Sequence, residues 1–348
     1  MEIGVCGMGY SGSGAVLDLL KEFPDLHVWD RLELSFIYKP DGLLDLGTAI
    51  SYRPCRYWSS DSAIRRYLKY MKRYQSKYDH FTDGVFSNAL DKYIEELVQV
   101  RWKGSTSVHR YQAEGVSYWF GQLAPRFIRS RLERVGIVFR GNLPPDKTMY
   151  YSYMEAKDFN VLTKKFVESI IYSLTKAVEG DRIVLNQLFS ANNPQESFPF
   201  FNNPKAIVVN RDPRDIYLLA KKAVGFDSRF IPTDKVEDFI AYYKGLMRSC
   251  SYDPSDERIL VLNFEDLIYK YQETKCAICD YLGISLSSKD LVNSKKFFDP
   301  NISIDNTQLW LKYNTYKDDI DKITDSLADY LYDFDKYEIK PKFKNKSF

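Results

Sequence analysis

Residues 7 to 16 read GMGYSGSGAV, a glycine spacing that lets a backbone turn wrap a phosphate. The backbone N–H groups of Gly9 to Gly14, Tyr10 among them, with the start of a following helix, can cradle one phosphate, and Ser11 and Ser13 add hydroxyl donors. Gly7 and Gly12 have the spacing of a triphosphate loop, G-x-x-x-x-G-K-[ST], but Ser13 and Gly14 occupy the lysine and hydroxyl places. The stretch therefore suits a nucleotide with a single 5′-phosphate group. Glycines that serve close strand–helix packing alone would leave the same pattern. The second chemical stretch is VVNRDPRDIYLLAKK, residues 208–222. Arg211 ends an apolar run there, and its planar fork matches a pair of phosphate oxygens. Equally, Arg211, Asp212, Arg214 and Asp215 can form a local ion network on a solvated turn.

A parallel sheet would bring these stretches together. Ile3 to Cys6 is a short apolar run ending in glycine, and Val16, Leu19, Leu20 and Phe23 recur at helical spacing before Pro24. LELSFIY (32–38) reads as a second strand, and RIVLNQ (182–187), AIVVN (206–210) and ILVLNF (259–264) as three more. Helices lie between them. Asp158 is placed to cap a stripe of Phe159, Leu162, Phe166, Ile170, Leu174 and Ala177 closed by Gly180. Another stripe carries Phe264, Leu267, Ile268, Tyr271, Ile278 and Leu282 before Gly283. The predicted class is α/β, a parallel sheet flanked by helices, with a helical insertion at about 55–130. In such a sheet Arg211, at a strand's carboxyl end, shares an edge with the first loop. Within the insertion, Tyr67, Tyr70, Met71, Tyr74 and Tyr78 line one helix face and basic residues the other, the pattern of tyrosines packed inward. VQVRWKGSTSV (98–108) alternates weakly, as a strand leading into a loop. One domain is expected over 1–335, with a basic, mobile tail at 336–348.

Taken together, GYSGSG, VVNRDPRDIYLLA, ILVLNFEDL and NISIDNTQLWLKY (301–313) resemble, in order and separation, the sulfotransferases that use 3′-phosphoadenosine 5′-phosphosulfate (PAPS). That family has a P-loop-like fold of the nucleotide-kinase type. GYSGSG is similar to its 5′-phosphosulfate loop, and Arg211, Pro213 and Asp215 to its 3′-phosphate motif R-x-P-x-D. The last stretch looks like its carboxyl-terminal loop over the nucleotide. Residues 1–23 and 182–333 are covered; about 40 to 180, the acceptor side in this family, has no clear match.

The resemblance implies that Ser11, Gly12, Ser13 and Gly14 hold the 5′-phosphosulfate and Arg211 the 3′-phosphate of PAPS, with the product PAP leaving and no metal required. Glu33 falls where glycan and tyrosine sulfotransferases keep a catalytic glutamate, and burial beside Trp29 and Phe36 would raise its pKa toward that of a useful base. A salt-bridged surface glutamate near Arg31 is the other reading, and His109 is the second candidate base. Two positions depart from the pattern. Tyr10 stands where the family has a Lys or Arg, so Lys103, with Lys312 second, is the candidate cation. Leu219 stands where the family has a 3′-phosphate serine, so Tyr217 or the carboxyl-terminal loop must supply that contact.

Composition sets outer bounds. The net charge of +2 does not favour wholesale nucleic-acid binding. Five scattered cysteines suit a reducing compartment, and Cys276 and Cys279 lack the further ligands a zinc site needs. No leader or membrane span is visible, so a cytoplasmic enzyme is expected. Its expected acceptor is a carbohydrate or glycan precursor, with a hydrophobic alcohol as alternative. A small-molecule kinase using ATP–Mg²⁺ and a non-catalytic PAP-binding protein are the rival functions.

Overall fold

Strand β1 (Glu2–Gly7) forms the centre of a five-stranded sheet with β2 (Leu26–Trp29), β5 (Arg182–Asn186), β6 (Pro204–Asn210) and β7 (Ile259–Asn263), in the order β2-β5-β1-β6-β7. Every pairing is parallel, and Val5 lies opposite Asn186 on one side and Ile207 on the other. Ile3, Val5, Val184, Ile207 and Val209 are all buried, as expected of strands covered on both faces. The Ser13–Leu20 helix buries Val16, Leu17, Leu19 and Leu20 against them. Each such side chain is worth roughly 1.5–3 kcal/mol when fully buried. The chain is described over residues 1–52, 57–104, 106, 124–137, 147–177, 180–223, 229–285 and 296–343 of a computed structural model.

Two compact units divide the chain, one of Met1–Ile37 with Leu174–Phe348 and one of Tyr38–Ser173. The insertion is therefore wider than the expected 55–130. It takes in the Ala156–Thr175 helix up to Ser173, whose Phe159 packs at Gly47 and whose Phe166 meets Phe86 and Tyr93 within the same unit. Phe166 stacks on Tyr93 at 4.7 Å, and Phe86 on Tyr78 at 4.8 Å. Asp158 sits in the first turn of that helix and not at its cap. In the Tyr57–Thr82 helix, Tyr67, Met71 and Tyr78 are buried, so the tyrosine stripe is packing surface. The weak strand signal resolves as β3 (Val100–Gly104), antiparallel to β4 (Lys147–Tyr151).

The expected strand at 32–38 is not one. Leu34, Ser35, Phe36 and Ile37 are buried consecutively, in a 3₁₀ turn at Ser35–Ile37. Burial on both parities needs a coil that turns its side chains inward, not a pleat. The pairing strand is the shorter LHVW of β2, aligned with β5. The expected single helix after β7 is two, Asp266–Tyr269 and Tyr271–Leu282, broken at Lys270 and closed by Gly283 at φ 65. The tail is also docked as far as Phe343. The rings of Tyr337 and Tyr269 lie 4.9 Å apart, and the N–H groups of Lys342 and Phe343 donate to Asp305 Oδ1 at 3.0 and 2.8 Å. Asp305 is buried and needs those donors.

Candidate functional site

The sheet order itself selects an edge. The connection leaving β1 runs toward β2, and the one leaving β6 runs toward β7, on opposite sides. Between β1 and β6 lies the switch point, and crevices of this kind open at the carboxyl ends of the strands. The glycine loop follows β1 and Arg211 follows β6, so both predicted stretches meet there.

In the loop, Tyr10 at φ 64 and Gly12 at φ 88 take left-handed backbone, which turns the chain sharply into the helix at Ser13. Ser11 N–H donates to Met8 O at 3.0 Å. No side-chain cap bond is made at Gly12; Ala15 N–H bonds back to Gly12 O at 3.0 Å, and the other N–H groups of a helix's first turn have no intrahelical acceptor, which suits them to an anion. The glycines differ in kind. A Cβ on Gly7, Gly9 or Gly12 would run into Ser11, Phe230 or Phe264, respectively, whereas a Cβ on Gly14 would meet nothing within 4 Å. Packing thus explains the first three glycines; at Gly14 it explains nothing. Inside the turn, the Ser11 hydroxyl is buried without a hydrogen-bond partner among the described residues. An orphaned donor beside an uncapped helix start fits an anionic ligand group.

Gln187 braces the loop from β5. Its Oε1 accepts from Gly7 N–H at 3.4 Å, and its Nε2 reaches Gly7 O at 3.2 Å and Ser13 Oγ at 3.3 Å. Sequence reasoning counted Gln187 only as a strand end; a polar residue closing a buried strand was the available signal. Phe230 was also missed. Its ring stacks on Tyr10 at 5.6 Å, nearly parallel at 5°, while remaining largely exposed.

Arg211 is buried and already committed on two sides. Nη1 donates to Tyr10 O at 3.0 Å, Nη2 donates to Asn306 O, and the guanidinium lies 4.5 Å from the Phe264 ring centre. Its Nε has no hydrogen-bond partner among the described residues. Arg211 therefore ties the glycine loop to the 301–313 segment, bringing three of the predicted stretches into contact. Asp215 strengthens that junction by accepting from Gln308 and Leu309 N–H at 3.0 and 2.8 Å. The local ion network is real as well. Arg214 grips Asp212 through two bonds of 2.9 and 2.7 Å and lies 4.0 Å over Trp310. Burial pushes the carboxyl of Asp215 up to about 7, with Arg211 pulling the other way. Glu265 accepts from Asp212 N–H at 2.9 Å, and burial raises it to about 8.

The remaining predicted residues fall as follows. Tyr217 is turned into the core, its hydroxyl donating to Asp319 at 2.6 Å and accepting from Lys221 at 2.8 Å. It is not free to take the contact expected of the missing serine. Lys312 is exposed, near the rings of Tyr313 and Phe343. Glu33 follows β2 by four residues, on the carboxyl edge that also carries the loop, with β5 intervening. The burial expected for it is absent: Glu33 is exposed, while Phe36 turns into the core. Lys103 belongs to the other unit, on β3, where Nζ donates to Thr148 Oγ1 at 3.0 Å. His109 lies outside the described residues. Among the described residues no group of three or more His, Cys, Asp or Glu could hold a metal ion, and no helix is long and apolar enough to cross a membrane.

No protein-family model matches the chain, and no curated protein does. Solved structures match weakly along its length. The sulfotransferase domain from the curacin biosynthetic pathway is 13% identical, with a TM-score of 0.37, covering 94% of this chain and 96% of that one. Retinol dehydratase in complex with androsterone and inactive cofactor PAP gives 13%, 0.35, 97% and 83%. Sulfotransferase STF9 from Mycobacterium avium gives 12%, 0.36, 98% and 77%.

Proposed function

We propose that the chain is a PAPS-dependent sulfotransferase acting on a hydroxyl of a carbohydrate or glycan precursor. One observation carries the reading: a lysine-free glycine loop holding the orphaned Ser11 hydroxyl is bonded, through Tyr10 O, to Arg211 at the switch point. When bound, PAPS supplies the sulfuryl group and leaves as PAP. The N–H groups around Gly12 to Gly14 hold the 5′-phosphate oxygens, and the helix start stabilises charge gathering there. Gln187 keeps Ser13 in place. Arg211 is the residue assigned to the 3′-phosphate, and its Nη1 fixes the loop through Tyr10 O. Glu33 takes the proton of the acceptor hydroxyl, and Lys312 supplies the cation that Tyr10 does not.

A triphosphate kinase is the reading this geometry disfavours, since neither the loop lysine nor its neighbouring hydroxyl is present. Transfer from radiolabelled PAPS to a panel of sugars and alcohols tests the proposal. Label should appear in a sugar acceptor, and transfer only to apolar alcohols would move the acceptor class.

A further inference from the structure

The Ala124–Arg134 helix, in the Tyr38–Ser173 unit, carries large apolar side chains where a folded chain has little reason to show them. Phe127 is 71% exposed and Ile128 51%, and just past the helix end Val135 is 70% and Ile137 53% exposed. Ile128, Leu132 and Val135 fall within about 60° of arc at the helical repeat, and Phe127 lies about 80° further round, with Arg131 between. Arg129, Arg131 and Arg134 border the stripe against a single acid, Glu133, which lies 3.8 Å from Arg129. Gly136 at φ 78 reverses the chain, and Ile137 N–H bonds back to Leu132 O at 2.9 Å, which sets Ile137 beside the stripe.

We propose that this helix lies in the interface of a membrane rich in anionic lipid. An eleven-residue helix is marginal in water without an apolar surface to cover, and a bilayer boundary provides one. Charge decides the kind of surface. The whole chain carries only +2, so the arginines concentrate positive charge locally, at the edge of the one stripe that would enter the acyl boundary. A bare polyanion offers the arginines a partner and the stripe none. The inference uses none of the glycine-loop residues and stands apart from the enzymatic reading.

Co-sedimentation of the full chain with phosphatidylcholine vesicles, with and without phosphatidylglycerol, is the test. The chain should pellet with the anionic vesicles alone. Arg131→Glu and Arg134→Glu should each weaken binding about fivefold or more. Phe127→Ser with Val135→Ser should abolish it while leaving the melting temperature unchanged, since both sites are exposed. Emission of a Phe127→Trp variant should shift to the blue on anionic vesicles. Failure to pellet with anionic vesicles overturns the proposal. So does full retention by the Ser variant, or equal retention of wild type and Ser variant on polyglutamate, which would mark an acidic protein surface as the partner.

Discussion

At the scale of single residues, Glu33 and Glu265 make opposite demands on their surroundings. Glu33, the proposed base, is exposed past β2. Replacing it by Gln should lower transfer by about 10²–10⁴-fold and leave stabilisation by PAP intact, which assay and thermal melt together would check. Glu265 is buried, and its carboxyl rises from 4.5 to about 8, so the folded chain holds that proton more tightly than the unfolded one. The resulting stability is complete below the unfolded value and is lost as pH rises through about 8. Denaturant midpoints should therefore fall on going from pH about 6 to about 9, and Glu265→Gln should flatten the fall. Asp215, raised for the same reason, leaves a residual slope of the same sign. The glycine loop and Arg211 were legible from their types and spacing alone. What could not be read was that Arg211 spends two nitrogens on backbone carbonyls, because those carbonyls belong to Tyr10 and Asn306, distant in the chain. Gln187 escaped for the same reason.

At the scale of elements, the start of the Ser13–Leu20 helix separates packing from binding. Gly14→Ala adds a methyl where no protein atom waits, so it should leave stability unchanged or raise it by up to about 1 kcal/mol. If that space receives the nucleotide phosphate, the same change should weaken PAP binding at least tenfold, measured by calorimetry. The docked tail gives a second test. Ending the chain at Ile339 removes the two donors that Lys342 and Phe343 give the buried Asp305 carboxylate, at a cost of about 1–3 kcal/mol in denaturant unfolding. Long apolar strands and the helix stripes showed in the sequence because their periodicity repeats. The four residues of β2 are too few to carry a pattern, and LELSFIY imitates a strand because its consecutive burial uses β-favouring residues. The lysine-rich tail looked mobile by composition, yet its backbone N–H groups anchor it.

At the scale of the whole molecule, strand order does what no single motif can. With β1 between β5 and β6, the loops after β1 and β6 flank one crevice, and residues 201 apart in sequence become hydrogen-bonded neighbours. Alternation of strands and helices made the sheet readable, but the extent of the Tyr38–Ser173 unit was not, since its core is helical and built from contacts internal to itself. What the crevice binds separates a sulfotransferase from a kinase. Thermal stability should therefore be compared for the wild type with PAP and with ATP–Mg²⁺. A ligand at a hundredfold excess over its Kd stabilises the folded state by about 2.7 kcal/mol, a shift of several degrees. A single-phosphate crevice predicts that PAP raises the melting temperature, that ATP–Mg²⁺ does not, and that Gly14→Ala loses the PAP effect. Stabilisation by ATP–Mg²⁺ with none from PAP would contradict it.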